Sequence, residues 1–293
     1  MLTDIARIRR FNRAVTTEVG ALDDSFLGRG RPLGVARVLN AIGQSGSAGR
    51  ELGEVRDFLQ LDSGLLSRIL RTLEEEGLVL TAPHPDDGRK RLARLTAKGQ
   101  GEFAAYESLS DGHAARLLGG HPRPQSLLDA MDLIASALGR NRIEISQADP
   151  RDEASLYCLT EYYSELARRF DQGFDVTLSA DPDAASMRAP CGTFLLAWSD
   201  GLPLGCVGLK GNGGTVGEIK RMWIAPSARG LGLAKRLMGA VESAARALSM
   251  NTLRLDTNSA LPEAVALYRN SGWHEIPRFN NDPYPDHFFE KAL

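Results

Sequence analysis

Arg229-Gly230-Leu231-Gly232-Leu233-Ala234 decides how this chain is read. It stands between a strand-like run, Glu218-Ile219-Lys220-Arg221-Met222-Trp223-Ile224, and a helical pattern that begins near Ala234. A glycine-rich turn that opens a helix leaves several backbone N–H groups without intrahelical acceptors, and the helix dipole adds partial positive charge at the same point. Such a turn suits a pyrophosphate. Gly230 and Gly232 let the backbone approach an anion without a Cβ clash, and Arg229 sets a guanidinium beside it.

Three kinds of anion site use such a turn. A nucleotide P-loop ends in Gly-Lys-Ser/Thr, and Ala234-Lys235-Arg236 excludes it. A dinucleotide loop needs a third glycine where Lys235 stands, although Asp256 lies near the distance of the acid that binds the ribose in such folds. The third is an acyl-CoA pyrophosphate loop. The pattern Arg-x-x-Gly-x-Ala, following a strand that carries Met222-Trp223-Ile224-Ala225-Pro226, resembles the acetyl-CoA loop of the GNAT superfamily of N-acetyltransferases.

The chain has 293 residues, which favours two domains. Its hydrophobic content of 43% and charged content of 25% are those of an ordinary globular protein. Residues 1–140 hold 19 Lys+Arg against 18 Asp+Glu and the remainder 16 against 19, so any nucleic-acid site is a local patch and not a bulk field. Cys158, Cys191 and Cys206 are odd in number and dispersed, which fits a reducing, cytoplasmic setting. The five histidines show no metal-ligand spacing, and no long apolar run suggests a signal peptide or a membrane span.

Residues 3–20 and 33–42 read as helices by their apolar spacing, and 50–59 as a short helix. After a turn at Leu61-Asp62-Ser63, residues 64–76 form a helix in which Leu66, Ile69, Leu70 and Leu73 make an apolar stripe. Ser63, Ser67, Arg68 and Arg71 lie off that stripe, the pattern of a helix-turn-helix with a polar exposed face. Two strand-like runs around the basic turn Arg89-Lys90-Arg91 then read as a β-wing able to reach phosphates. The run from Leu61 to Glu74, with Gly77-Leu78-Val79, Asp87-Gly88-Arg89 and Leu95-Thr96-Ala97-Lys98-Gly99, resembles the winged helix of MarR-type transcriptional regulators over residues 1–140. The resemblance implies a homodimer formed by helices at 3–20, 100–118 and 124–138. It also implies duplex DNA as partner, with Ser63, Ser67, Arg68 and Arg71 in the major groove and Arg89, Lys90 and Arg91 on the wing. Glu51, Glu54, Asp57 and Asp62, flanking the recognition helix, run against that charge pattern.

Gly139 to Arg142 reads as the domain boundary, with the second domain over 143–293. From there the order is strand, helix, three strands, glycine loop, helix, strand, helix, strands, which predicts a mixed α/β sheet and not the alternating doubly wound pattern of a dinucleotide fold. Leu255-Asp256-Thr257-Asn258, followed by Glu263 to Trp273 with Leu267-Tyr268 and Gly272-Trp273, is similar to the closing segment of GNAT enzymes. The expected fold class is therefore two domains, a mainly α winged helix-turn-helix followed by an α/β mixed-sheet GNAT fold.

The GNAT resemblance implies acetyl-CoA as co-substrate and an amine as acceptor; no metal is expected from the histidine spacing, and no Ser/His/Asp or Cys/His arrangement stands out, which fits direct transfer without an acyl-enzyme. It places the pyrophosphate on the backbone of Arg229, Gly230, Leu231, Gly232, Leu233 and Ala234, and the pantetheine arm along Met222, Trp223 and Ile224, with Asn258 touching it. Tyr268 takes the general-acid position, since a phenol can protonate a leaving thiolate; otherwise it is a buried core aromatic. Glu218 takes the position of a base, on a strand face that alternation shares with Lys220 and Met222; otherwise it is a salt-bridge partner near Lys220. Asp256 is left a strand-end role. Asp282 and Asp286 could attract a cationic amine or simply belong to a proline-rich loop. Two further functional readings stay open: a regulator whose second domain senses acyl-CoA without turnover, and an acetyltransferase whose winged helix only dimerises.

Overall fold

The structure, a computed structural model, describes residues 3–178, 184 and 186–293. The chain forms two compact units, Met1–Pro124 and Gln125–Leu293, dividing ahead of the Gly139–Arg142 turn. In the first, α1 (Asp4–Glu18) and α2 (Leu33–Gly43) precede β1 (Arg50–Glu51), α3 (Leu52–Leu59), α4 (Ser63–Glu75), β2 (Val79–Pro83), β3 (Arg91–Leu95) and α5 (Ala97–Gly119). The first two residues of the expected helix at 50–59 are instead a short strand, Arg50 pairing with Ala93 and Glu51 with Leu92. Such a pairing is long-range, and no local spacing announces it.

Asp62 caps α4, its Oδ1 accepting from Leu65 N at 2.9 Å. The apolar stripe of α4 is buried as expected, packing with Leu39, Ile42 and Val55 and with Leu78 and Val79. A network ties α4, α5 and the loop before α2: Glu102 on α5 receives Arg29 at 2.6 Å and Arg31 at 2.9 Å, and Arg31 also meets Glu76 at 2.5 Å. The Arg29 hydrogen bond, outweighing partial burial, holds the Glu102 carboxyl below its ordinary range.

The second unit opens with α6 (Pro124–Gly139), whose Ser136 Oγ lies 3.3 Å from Ser227 Oγ. Then come β4 (Glu144–Ala148), α7 (Glu153–Arg169), β5 (Thr193–Ser199), β6 (Leu202–Lys210), β7 (Val216–Ile224), α8 (Leu233–Ala247), β8 (Thr252–Thr257), α9 (Pro262–Arg269), β9 (His274–Glu275) and β10 (His287–Ala292). The sheet order is β4-β5-β6-β7-β8-β10-β9. Its ladders are antiparallel except β7 with β8, where the crossover through α8 makes the pair parallel. One face packs Leu237, Val241 and Ala245 of α8 on Val207, Ile219, Leu253 and Leu255. The other packs Cys158 and Leu159 of α7 on Phe194, Leu196, Cys206 and Trp223. Among the described residues no helix is long and apolar enough to cross a membrane.

Candidate functional site

The β7–β8 ladder runs from Val216↔Thr252 to Ile219↔Leu255 and then stops, while β7 continues to Ile224. The two strands thus splay apart at the centre of the sheet. On its other edge β7 carries a bulge: Cys206 pairs with Trp223 and Gly208 with Lys220, so Val207 faces both Arg221 and Met222. Arg221 takes up the extra residue with φ 58°. Alternation is broken there, and this corrects one sequence expectation. Glu218 and Lys220 share a face, but Met222 packs with the α8-side core around Ile219. Beyond the bulge, Ala225 N donates to Leu204 O at 2.9 Å, so alternation turns the Ile224 N–H away from β6.

Past the end of β7 lies the glycine turn. Gly230 and Gly232 have φ 76° and 78°, values that L side chains rarely adopt, and a Cβ at either position meets no atom within 4 Å. The backbone therefore requires glycine there and leaves the adjoining space open. Among the described residues, no acceptor meets the N–H groups of Gly230, Leu231, Gly232, Leu233, Ala234 or Lys235; the next amide, Arg236 N, donates to Gly232 O at 3.3 Å. This is a run of unpaired donors at the positive end of α8. Arg229 differs from expectation. Its Nη2 lies 2.5 Å from Glu165 Oε2, and its Nε donates to Ile224 O at 3.1 Å. Its charge is compensated, and its arm fastens the turn to β7 and α7. The same Glu165 oxygen accepts from Trp223 Nε1 at 3.2 Å, so the Trp223 side chain is a buried strut, and its backbone faces its β6 partner Cys206 and not the splay.

Two cavities adjoin at the splay. The larger, about 320 Å³, runs from Arg229, Gly230 and Ala234 past Ile224 to Met222 and Tyr268. The smaller, about 100 Å³, continues from Met222 and Tyr268 towards Asp256, Phe170, Phe174 and Tyr284. Tyr268 lines both, with its ring packed on Phe289 and Trp273. Burial, and then the charge of Asp256, push its phenol well above the usual tyrosine value. Tyr162 of α7 lines both cavities too; burial raises its phenol, with Arg221 opposing. The sequence reading passed over Tyr162, because a tyrosine in an amphipathic helix carries no local motif.

The acid cluster differs from the sequence reading. Lys220 Nζ bridges Glu218 Oε1 at 2.9 Å and Asp256 Oδ2 at 2.6 Å. Asn280 Nδ2 spans the same two oxygens at 3.2 and 2.6 Å. Burial alone would lower the Lys220 ammonium, but Asp256 and then Glu218 hold it above its ordinary value. Glu218 lines neither cavity, whereas Asp256 lines the smaller one beside Tyr268. The alternation of β8 was the available signal: Leu253, Leu255 and Thr257 are buried on one face, which leaves Arg254 and Asp256 on the other. Asn258 lines the smaller cavity, but its Nδ2 donates to Tyr284 O at 2.6 Å and its Oδ1 accepts from Ala260 N at 2.8 Å. Its amide shapes the loop. Asp282 lines the smaller cavity, whereas Asp286 accepts from Ser259 N at 2.7 Å and lines neither.

In the first unit, α3 and α4 are joined by a turn through Gln60 in the left-handed conformation. Ser63, Ser67, Arg68 and Arg71 are all exposed on α4, and among the described residues no partner engages the guanidinium group of either arginine. The wing cations are more occupied. Arg89 Nε lies 3.2 Å from Asp87, Lys90 Nζ 2.9 Å from Glu51, and Arg91 donates to Thr81 Oγ1.

The sequence model of the acetyltransferase (GNAT) family matches residues 159–273, and that of a winged helix DNA-binding domain matches residues 36–99. An IAA acetyltransferase of Azospirillum brasilense is 36% identical over 157 residues, covering 52% of this chain and 98% of that protein. The crystal structure of an acetyltransferase of the GNAT family from Staphylococcus aureus Mu50 is 20% identical, with a TM-score of 0.46 over 52% of this chain and 99% of its own. The PcaV transcriptional regulator of Streptomyces coelicolor, solved with its natural ligand, is 20% identical, with a TM-score of 0.36 over 46% of this chain and 91% of its own. The chain belongs to the GNAT family of N-acetyltransferases and carries a winged helix DNA-binding domain ahead of its acetyltransferase domain.

Proposed function

We propose that this protein is a bifunctional, cytoplasmic regulator: a MarR-type winged helix that binds duplex DNA as a homodimer, joined to an acetyl-CoA-dependent enzyme that acetylates an amine by direct attack. The observation that carries the enzymatic reading is the run of unpaired amides from Gly230 to Lys235, opening on the cavity that ends at Tyr268. These residues fit acetyl-CoA. The amides would hold its pyrophosphate, and the splayed edge of β7 at Met222 and Ile224 would pair with the pantetheine arm. Acetyl-CoA supplies a thioester carbonyl and a thiol leaving group. A backbone N–H near Met222 polarises the carbonyl, and the amine enters from the smaller cavity. Tyr268, kept protonated by burial, delivers its proton to the departing sulfur.

The regulatory reading rests on the free guanidinium groups of Arg68 and Arg71 on the exposed face of α4. The homodimer reading rests on α1, which buries none of its residues and leaves Ile5 62% and Ile8 60% exposed at helical spacing. One observation bears on the DNA contact: Lys90 is paired with Glu51 and Arg89 with Asp87, whereas Arg91, bonded to the neutral Thr81 hydroxyl, keeps its charge available alongside Arg68 and Arg71.

Thermal unfolding with acetyl-CoA, and with NADH as control, tests the donor site. Acetyl-CoA at a hundredfold excess over its Kd should stabilise the protein by about 2.7 kcal/mol. Gly230→Val, which strains a left-handed backbone and fills the anion space, should remove that shift. A shift with NADH alone would overturn the assignment.

A further inference from the structure

Resting on the acetyltransferase reading above, we propose that the acceptor is a primary amine carried on an aromatic body, bound through its ammonium by Asp256. The side chain of Asp256 is only 8% exposed, and both its ion pair to Lys220 and its hydrogen bond from Asn280 use the same oxygen, Oδ2. Among the described residues Oδ1 has no partner, and the residue lines the cavity that Tyr268 closes. A carboxylate oxygen with no partner, on a residue that lines a cavity, calls for a donor, and a charged one most strongly.

Of the cations lining the cavity, Lys220 is compensated by two carboxylates, the Arg221 guanidinium lies over the Tyr163 ring at 4.9 Å, and Lys210 is half-buried. The opposite wall is aromatic. Phe174 and Tyr284 stand 4.7 Å apart between ring centres, and Phe170 lies 5.9 Å from Tyr284 and 6.1 Å from Phe174. Tyr284 offers only its ring, because its hydroxyl accepts from Asp175 N at 2.8 Å and donates to Asp175 O at 3.2 Å. A preformed set of rings rewards a flat apolar body by burial and by edge or offset stacking.

The proton inventory closes with these groups. The bound ammonium gives one proton to Asp256 Oδ1, which passes it to solvent. The freed lone pair forms the C–N bond as the C–S bond of acetyl-CoA breaks. Sulfur leaves with the Tyr268 proton, and the second proton shed by nitrogen restores the Tyr268 phenol. The sum is ammonium plus acetyl-CoA giving amide, CoA thiol and one released proton. Asp256, and not Glu218, is then the residue that touches the amine.

The test measures thiol release from saturating acetyl-CoA with phenethylamine, tyramine, spermidine, phenylalanine and a lysine peptide, with acetyl-CoA binding followed separately by calorimetry. At least one of the aromatic amines phenethylamine, tyramine and phenylalanine should give kcat/KM at least tenfold above spermidine and the peptide. Asp256→Asn should raise KM for the amine at least tenfold while acetyl-CoA binds as before. Phe174→Leu should lower kcat/KM for the arylalkylamines while acetyl-CoA binds as before. Preference for spermidine or the peptide, or turnover of none of the three aromatic amines while acetyl-CoA binds, overturns the proposal and spares the donor site. Failure to bind acetyl-CoA overturns both.

Discussion

Tyr268 is where residue-level physics bears most directly on the proposed function. The sequence proposes it through Leu267-Tyr268 and Gly272-Trp273, but its environment was not legible, since the Phe289 ring packed on it arrives from β10. Because burial and Asp256 raise its phenol, it stays protonated across the neutral and mildly alkaline range, and its loss should not be rescued by lowering pH. Tyr268→Phe is expected to reduce kcat about a hundredfold, a usual general-acid contribution, with acetyl-CoA binding unchanged in calorimetry. An unaltered kcat would assign the proton to another donor, with Tyr162 next in position. Arg229 shows the limit of reading a charge from a motif. The sequence supplies the guanidinium, but its compensation by Glu165 depends on how α7 lies over the sheet.

Elements were legible where periodicity is local and long. The helices over 4–18, 33–43, 63–75, 153–169 and 233–247 and the strands of the sheet stand close to where apolar spacing places them. The parts that escaped are those set by pairing between distant segments. The two-residue strand β1 exists only because Arg50 and Glu51 lie against β3. The bulge at Arg221 exists because two residues of β7 share one partner on β6, and that single extra residue moved Met222 away from the Glu218 face. The same long-range logic gives a stability test. Glu102 joins Arg29 and Arg31, with Arg31 in turn bound to Glu76 at the end of α4, and its side chain is 12% exposed. Glu102→Gln should therefore destabilise the first unit by about 2 kcal/mol at pH 7. The folded-state pKa of Glu102 lies below its ordinary 4.5, so this stabilisation is present above that value and is lost as pH falls through the folded one. The variant and the wild type should thus converge in urea midpoint towards low pH, followed by circular dichroism. All three tryptophans, Trp198, Trp223 and Trp273, belong to the second unit, so their fluorescence serves as the internal control. A gap that persists unchanged at low pH would show that Glu102 acts by packing and not by charge.

At the scale of the whole molecule, the two-domain organisation was legible because each half carries its own signature: a capped helix with an apolar stripe and a basic wing in one, a glycine turn after a strand and Leu267-Tyr268 in the other. Charge at this scale is nearly balanced, so the proposed DNA binding rests on a few exposed groups, and its salt dependence should scale with the number of phosphates they reach. Arg68→Ala or Arg71→Ala is expected to weaken binding to a cognate duplex by about 1–3 kcal/mol, measured by fluorescence anisotropy over a range of salt. Equal binding by the variants would leave the winged helix as an assembly module.

The central claim, that the glycine turn and Tyr268 frame a working acetyl-transfer site, is tested most directly by thiol release from acetyl-CoA in the full-length protein, with and without an amine. The account expects release that requires both reactants and falls sharply in Tyr268→Phe. Acetyl-CoA binding with no amine-dependent thiol release would contradict it and make the second domain an acyl-CoA sensor.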